Sequence, residues 1–285
     1  MTKMKPFHIG AMLESFRLPI PEALKTAAGL GVEGIQVYAT RGEMSPHNLV
    51  GQKRKDFLKM VKDNGLIISA LCGDLGHGFF RPEEIPHLIE ESKLILDLAK
   101  ELETNVVTTH IGVVPADPKN PRYAIMQDAC GTLAAYADTL DAHFAVETGP
   151  ETSAVLGNFL DGLHSTGVGV NLDPANLVMV TGDDPAGAVH RLAKYIVHTH
   201  AKDGKKLFDR DPEVIYGVVP ADPAAVEDAA FIELPLGEGD VPYPRYLDAL
   251  EEIGYKGFLT IERECGDNPV GDITTAVEFL KKLIK

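Results

Sequence analysis

Tyr195-Ile196-Val197-His198-Thr199-His200-Ala201-Lys202-Asp203 opens as an apolar run and closes on alternating His, His and Lys. A strand repeats every second residue, so those three side chains share one face. Two imidazoles and an ammonium turned into the inside of a buried strand are costly unless something negative or metallic meets them. Three other apolar runs supply it by ending in a carboxylate: His143-Phe144-Ala145-Val146-Glu147, Val168-Gly169-Val170-Asn171-Leu172-Asp173 and Gly257-Phe258-Leu259-Thr260-Ile261-Glu262. The four strand ends are expected to converge on one metal ion.

Working outward, apolar runs alternate with helical pattern and give eight strands, beginning near Phe7, Gly34, Leu66, Asn105, His143, Val168, Tyr195 and Gly257. Pro21 and the Gly29/Gly31 pair bracket the first helix, and Pro46 and Asn64-Gly65 bracket the second. The third is expected over Glu83 to Leu102, with Leu88, Ile89, Leu94, Ile95, Leu98 and Leu102 on its apolar side. Helices four to eight follow from about Arg122, Thr152, Pro185, Tyr243 and Asp272. Eight βα units with no antiparallel hairpin signal predict an α/β fold, a closed TIM (β/α)8 barrel over residues 1–285 as one domain. In that fold the C-terminal strand ends share one mouth, which would gather Glu147, Asp173, His200 and Glu262. The last spacing is long, and its excess, Gly204 to Val241, predicts an extended loop after the seventh strand, leaving from the catalytic face as a lid or a subunit contact.

The chain of 285 residues carries 27 Lys+Arg against 42 Asp+Glu, a formal charge of -15. Such a balance argues against nucleic acid or an anionic membrane as the main partner and favours a small-molecule role. Cys72, Cys130 and Cys265 are far apart and in no C-x-x-C pattern, which suggests neither a disulfide framework nor a thiolate metal site. No signal-peptide pattern opens the sequence and no stretch approaches a membrane span, so the cytoplasm is expected.

Five stretches, Ala145-Val146-Glu147-Thr148-Gly149, Asn171-Leu172-Asp173-Pro174-Ala175-Asn176, His198-Thr199-His200-Ala201-Lys202-Asp203, Leu236-Gly237-Glu238-Gly239-Asp240 and Leu259-Thr260-Ile261-Glu262, resemble the sugar phosphate isomerase/epimerase family. That family belongs to the xylose-isomerase-like barrels, the AP endonuclease family 2 group, which also include ketose 3-epimerases, inosose dehydratases and endonuclease IV. The resemblance covers essentially the whole chain. It implies that Glu147, Asp173, His200 and Glu262 ligate the metal, that His198 lies one layer deeper, next to substrate or behind the ligands, and that the protein is commonly a homo-oligomer. Ketose epimerases carry a substrate-contacting His where this chain has Asn176, and a Glu where it has Ser153; both departures bear on the sugar, and Glu151 is a substitute for the missing polar contact. Three carboxylates and one imidazole suit Mn²⁺, Mg²⁺, Co²⁺ or Zn²⁺ and leave the choice open. Glu262 and Glu264 both face the mouth by alternation, and Glu262 is preferred because it ends the apolar run.

The chemistry expected is that of a metal-dependent sugar or sugar phosphate isomerase/epimerase: a divalent ion stabilises an enediolate while Glu147 and Glu262, from the fifth and eighth strands, remove and return a proton. Two bases on opposite faces would epimerise; one base returning the proton to the neighbouring carbon would isomerise. Lys202 either neutralises developing charge, holds a phosphate or carboxylate, or pairs with Asp203 or a site carboxylate. His110, ending Val106-Val107-Thr108-Thr109-His110, faces the same mouth and is expected to contact substrate; His198 either does so or is satisfied inside the barrel. Glu14 and Tyr38 are weaker candidates, and His77 sits on the glycine-rich loop Gly73 to Gly78. Gly29-Leu30-Gly31-Val32-Glu33-Gly34 matches G-x-G-x-x-G but follows a helix and precedes a strand, the reverse of dinucleotide-binding order, and reads as a helix stop and strand entry. Two other functions share the barrel: a lyase of the inosose or dehydroshikimate dehydratase kind, and an endonuclease IV-like repair enzyme, which would need more histidines.

Overall fold

The computed structural model describes residues 4–220 and 228–285. In chain order the elements are β1 (His8–Met12), α1 (Ile20–Leu30), β2 (Gly34–Tyr38), α2 (Gln52–Asp63), β3 (Ile67–Cys72), α3 (Ile85–Glu101), β4 (Val106–Thr109), α4 (Pro121–Thr139), β5 (His143–Glu147), α5 (Ser153–Asp161), β6 (Val168–Leu172), α6 (Pro174–Asn176), α7 (Pro185–Arg191), β7 (Ile196–Ala201), β8 (Asp203–Lys206), α8 (Pro212–Ile215), β9 (Phe231–Leu234), α9 (Tyr243–Glu252), β10 (Phe258–Ile261) and α10 (Pro269–Ile284). Eight of the strands close into a parallel barrel in the order β1-β10-β7-β6-β5-β4-β3-β2. This is the TIM barrel, and its strands begin within a residue of the positions expected from the apolar runs.

Three local features differ from the sequence-based expectation. The segment after β7 contains an antiparallel pair, β8 with β9, in register Asp203 to Leu234 and Lys206 to Phe231. Hairpin signals rest on a short turn between two alternating runs, and here β8 is polar and its partner lies 25 residues further along, so no such signal exists. Between β6 and α7 the chain also makes the short α6 and then a π turn over Leu177–Thr181, where the sequence reading placed no element before the helix from about Pro185. The second helix begins later than Pro46 suggested, at Gln52, after a 3-10 turn over Gly42–Met44.

Most apolar side chains pack between the strands and the outer helices in one continuous core. Inside the barrel the lower end is plugged by Ala70, Val106 and Ala145, with Val197 against them. Phe258 also fills this end, and it fits because Gly10 and Gly34 lack side chains: a Cβ on Gly34 would come within 2.5 Å of its ring. Above the plug the interior turns polar, with Gln36, Thr108, Asn171, His198 and Thr260 all buried. Each lies two residues before a strand-end position, at Tyr38, His110, Asp173, His200 and Glu262, so the same alternation that builds the mouth builds the layer beneath it.

Candidate metal centre

The strand ends of β5, β6, β7 and β10 bring Glu147, Asp173, His200 and Glu262 together, with one ligand atom from each inside a 4.8 Å cluster. All four are buried. The Nδ1 of His200 stands 3.5 Å from Glu147 Oε1, 3.4 Å from Asp173 Oδ2 and 3.3 Å from Glu262 Oε2. On the far side of that ring, Nε2 donates to Gln36 Oε1 at 3.0 Å, and Gln36 is oriented by giving its own amide to Thr108 Oγ1 at 2.8 Å. With Nε2 held as the donor to Gln36, loss of the Nδ1 proton to an arriving cation would turn the Nδ1 lone pair into the space among the three carboxylates, the tautomer a metal ligand requires.

Three carboxylates face one imidazole, and burial makes the imbalance expensive. Burial alone would lower the His200 pKa, but Glu262 and Glu147 outweigh it and hold the ring well above its ordinary value. Burial would raise Glu262, yet Lys202 and His200 keep it well below the usual carboxylate range. Asp173 Oδ2 has no hydrogen-bond partner although it is buried, whereas Oδ1 accepts from the Asn176 amide at 2.9 Å. An unpartnered buried acceptor costs ~1–3 kcal/mol, and more when charged. A divalent cation bound among these oxygens and Nδ1 would satisfy that atom and balance the charge. The donor set of hard oxygens and one imidazole fits Mn²⁺, Mg²⁺, Co²⁺ or Zn²⁺. The buried cluster is therefore consistent with a metal site.

Glu147 is gripped through both oxygens: Oε1 accepts from Asn176 Nδ2 and Oε2 from Asn171 Nδ2, each at 3.1 Å. Gly149 makes the first contact feasible, because it adopts φ 138° and a Cβ there would meet the Asn176 Cβ at 2.4 Å. Asn176 thus reaches both the Glu147 carboxylate and the cavity. Lys202 Nζ donates to Glu262 Oε2 at 3.0 Å, pairs with Glu264 and lies 3.8 Å from Glu233 Oε2. Of the alternatives for Lys202, the structure shows pairing with a site carboxylate. Asp203 points away and accepts the backbone N–H groups of Gly237 and Val241, holding the turn that precedes α9.

His110 lines the cavity, with Nδ1 on Asp74 Oδ2 at 3.1 Å and Nε2 facing Glu147 Oε1 at 3.7 Å. Burial lowers its pKa, but Glu147 and Asp74 carry it up to about 9. Asp173, His198, Glu151 and Glu14 are not on the cavity wall among the described residues. His198 has both ring nitrogens engaged inside the barrel, Nδ1 donating to Asn171 Oδ1 at 2.9 Å and Nε2 accepting from Thr260 Oγ1 at 3.0 Å. Burial and the neighbouring His200 push its pKa well below the ordinary value, so the ring is neutral. Glu151 turns behind the site and accepts the Val114 N–H at 3.0 Å. Burial raises its pKa to about 8. Tyr38 and His77 line the cavity, and Glu14 does not; its carboxylate accepts the Tyr38 N–H at 3.1 Å. Ser153 is the amino-terminal residue of α5, where its hydroxyl gives a 2.6 Å hydrogen bond to Asp183.

Sequence reasoning did not single out Gln36, Asn171, Asp74, Glu233 or Tyr216. The first two could have been found by stepping two residues back from a mouth position. Glu233 and Tyr216 come from the segment after β7 and offered no signal. That segment covers the mouth of its own chain: Ile215, Tyr216, Gly217 and Phe231 to Leu234 line a cavity of about 1020 Å³ over the cluster. An ion pair between Arg122 of α4 and Glu213 of α8 ties it to the barrel, and Tyr216 stacks at 5.8 Å on His110.

The closed parallel barrel, with a buried carboxylate and imidazole cluster at its C-terminal mouth that is consistent with a metal site, is a TIM barrel. The chain belongs to the xylose isomerase-like TIM barrel family, whose model matches residues 24–283. Among curated relatives, fructoselysine 3-epimerase of Escherichia coli O157:H7 is 24% identical over 270 residues, covering 86% of each chain. Among solved structures, a xylose isomerase domain protein from Planctomyces limnophilus superposes with a TM-score of 0.77 at 25% identity, covering 99% of this chain and 98% of its own. A probable 3-DHS dehydratase from Bacillus anthracis shares the fold, with a TM-score of 0.70 at 19% identity over 96% of this chain and 99% of its own. No helix among the described residues is long and apolar enough to cross a membrane.

Proposed function

We propose that the protein is a divalent-metal-dependent isomerase or epimerase of a sugar or sugar phosphate, with Glu147 and Glu262 as the proton-transfer pair. The observation that carries this reading is the buried Glu147, Asp173, His200 and Glu262 cluster at the floor of a covered cavity. The curated relative named as a 3-epimerase supports the reaction class. An ion held by the four residues would supply a Lewis acid for a sugar's carbonyl and adjacent hydroxyl oxygens.

The chain's own groups then divide the remaining work. Asn171 and Asn176 fix the Glu147 carboxylate in place. Lys202 and His200 keep Glu262 ionised and able to accept a proton. One glutamate takes a C–H proton beside the carbonyl while the other, entering protonated, delivers its own proton to the opposite face and leaves ionised, which inverts that carbon; a single glutamate returning the proton to the neighbouring carbon isomerises the sugar. Tyr216 and β9 line the outer part of the cavity above these groups.

His110 favours a second reading. Its charged ring, held by Asp74, faces the cavity as a donor and could protonate a departing β-hydroxyl, the step that turns the same proton abstraction into a dehydration. Solvent deuterium exchange into ketoses with Mn²⁺ present tests the proposal. Exchange beside the carbonyl is expected in wild type and is expected to fall ~10²–10⁴-fold in Glu147→Gln and Glu262→Gln. Undiminished exchange in both variants would contradict the assignment, and an unsaturated product would favour the dehydratase reading.

A further inference from the structure

The cavity above the cluster is divided between a polar floor and an apolar outer wall. The floor carries Glu147, His200 and Glu262 with His110, Asn176 and Lys202, Asp173 lying just behind it, while the wall is built by Met179, Val180, Ile215, Phe231, Ile232 and Leu234. Its volume, about 1020 Å³, sits at the top of the roughly 300–1,000 Å³ range of pockets that enclose drug-sized ligands. A six-carbon sugar seated on the floor leaves the outer part unfilled. Ile232 on this wall is 45% exposed and open to contact with a ligand's substituent.

Charge completes the argument. A phosphate needs open cations or converging backbone N–H groups. The cations on this wall already face carboxylates: Lys202 meets Glu262, Glu264 and Glu233, Arg263 pairs with Glu233 at 2.6 Å and Asp272 at 2.8 Å, and Arg81 approaches Glu84 at 3.4 Å. His110 is held by Asp74. The formal charge of -15 opposes entry of a dianion.

We infer that the substrate is an unphosphorylated sugar bearing an apolar substituent, with the sugar on the Glu147, His200 and Glu262 floor and the substituent against Ile215, Phe231, Ile232 and Leu234. This rests on the isomerase/epimerase reading for the orientation of the sugar, and it assigns the segment after β7 a role in specificity.

Titration calorimetry with Mn²⁺-loaded protein compares fructose, fructose 6-phosphate and 6-O-benzylfructose. Binding of the benzylated sugar at least tenfold tighter than either of the others is expected. Ile232→Asp and Phe231→Ala should remove most of that advantage, lowering affinity for the benzylated sugar by a larger factor than affinity for fructose. Tightest binding of the phosphate, equal binding or no binding of all three, or an undiminished advantage in both variants would overturn the inference. Deuterium exchange on the same compounds separates the two claims: tight binding of the benzylated sugar without exchange contradicts the isomerase/epimerase reading alone, and fastest exchange on the phosphate overturns the substrate class alone.

Discussion

His198 and His200 are two residues apart on β7, both turned into the barrel, and their surroundings are opposite. His198 sits in a closed layer where each ring nitrogen has one partner, Asn171 or Thr260. His200 sits in an open layer where Nδ1 faces three carboxylate oxygens and Asp173 Oδ2 has no partner. Burial pushes both pKa values down; nearby carboxylates reverse the effect for His200 only. A polar layer that satisfies itself positions what lies above it, and one left unbalanced is built to receive a ligand.

The largest expected effect breaks the comparison at its upper member. His200→Ala should weaken Mn²⁺ binding by more than ~100-fold, beyond the ~10–100-fold typical of groups that only support a ligand. His198→Ala should stay within that smaller range and instead destabilise the fold by ~2–4 kcal/mol, because it leaves a cavity and strands Asn171 Oδ1 and Thr260 Oγ1. Metal titration and denaturant unfolding on both variants read the two quantities; equal losses of metal affinity would erase the distinction.

A smaller effect sharpens it from outside the layers. Glu151 is buried against the Val114 amide with its pKa raised to about 8. A folded-state pKa above the unfolded one means the folded form holds the proton more tightly, so this stabilisation is full below the ordinary carboxylate range and is lost as pH rises through about 8. Glu151→Gln keeps an acceptor for Val114 and removes the titration. Unfolding at pH 5 and pH 8 should show the variant gaining on wild type at the higher pH by on the order of 1–3 kcal/mol. A gain of the same size at both pH values would refute the assignment.

The barrel and its carboxylate and imidazole cluster were legible because each depends on short-range pattern. Apolar runs mark the strands, and the carboxylate or imidazole that ends four of them, at Glu147, Asp173, His200 and Glu262, marks the mouth. The β8–β9 pair was not legible, since its strands meet through a contact between Asp203–Lys206 and Phe231–Leu234 that no local signal announces. Glu233 shows the same difficulty: its value lies in holding Arg263 and the Glu264 N–H, partners 30 and 31 residues away. Lys202 was recognised as a mouth residue, but its partner could not be chosen, because Glu262 and Asp203 are equally plausible until the barrel turns one toward it and the other toward the Gly237 turn.

The most direct measurement is a calorimetric titration of Mn²⁺ into chelator-treated wild type and Asp173→Asn. Asp173 is decisive because its Oδ2 is the buried carboxylate oxygen of the cluster left without a hydrogen bond. The account predicts one ion bound per wild-type chain and a loss of more than ~100-fold in affinity in a folded Asp173→Asn variant. No binding to wild type, or undiminished binding to Asp173→Asn, would contradict it.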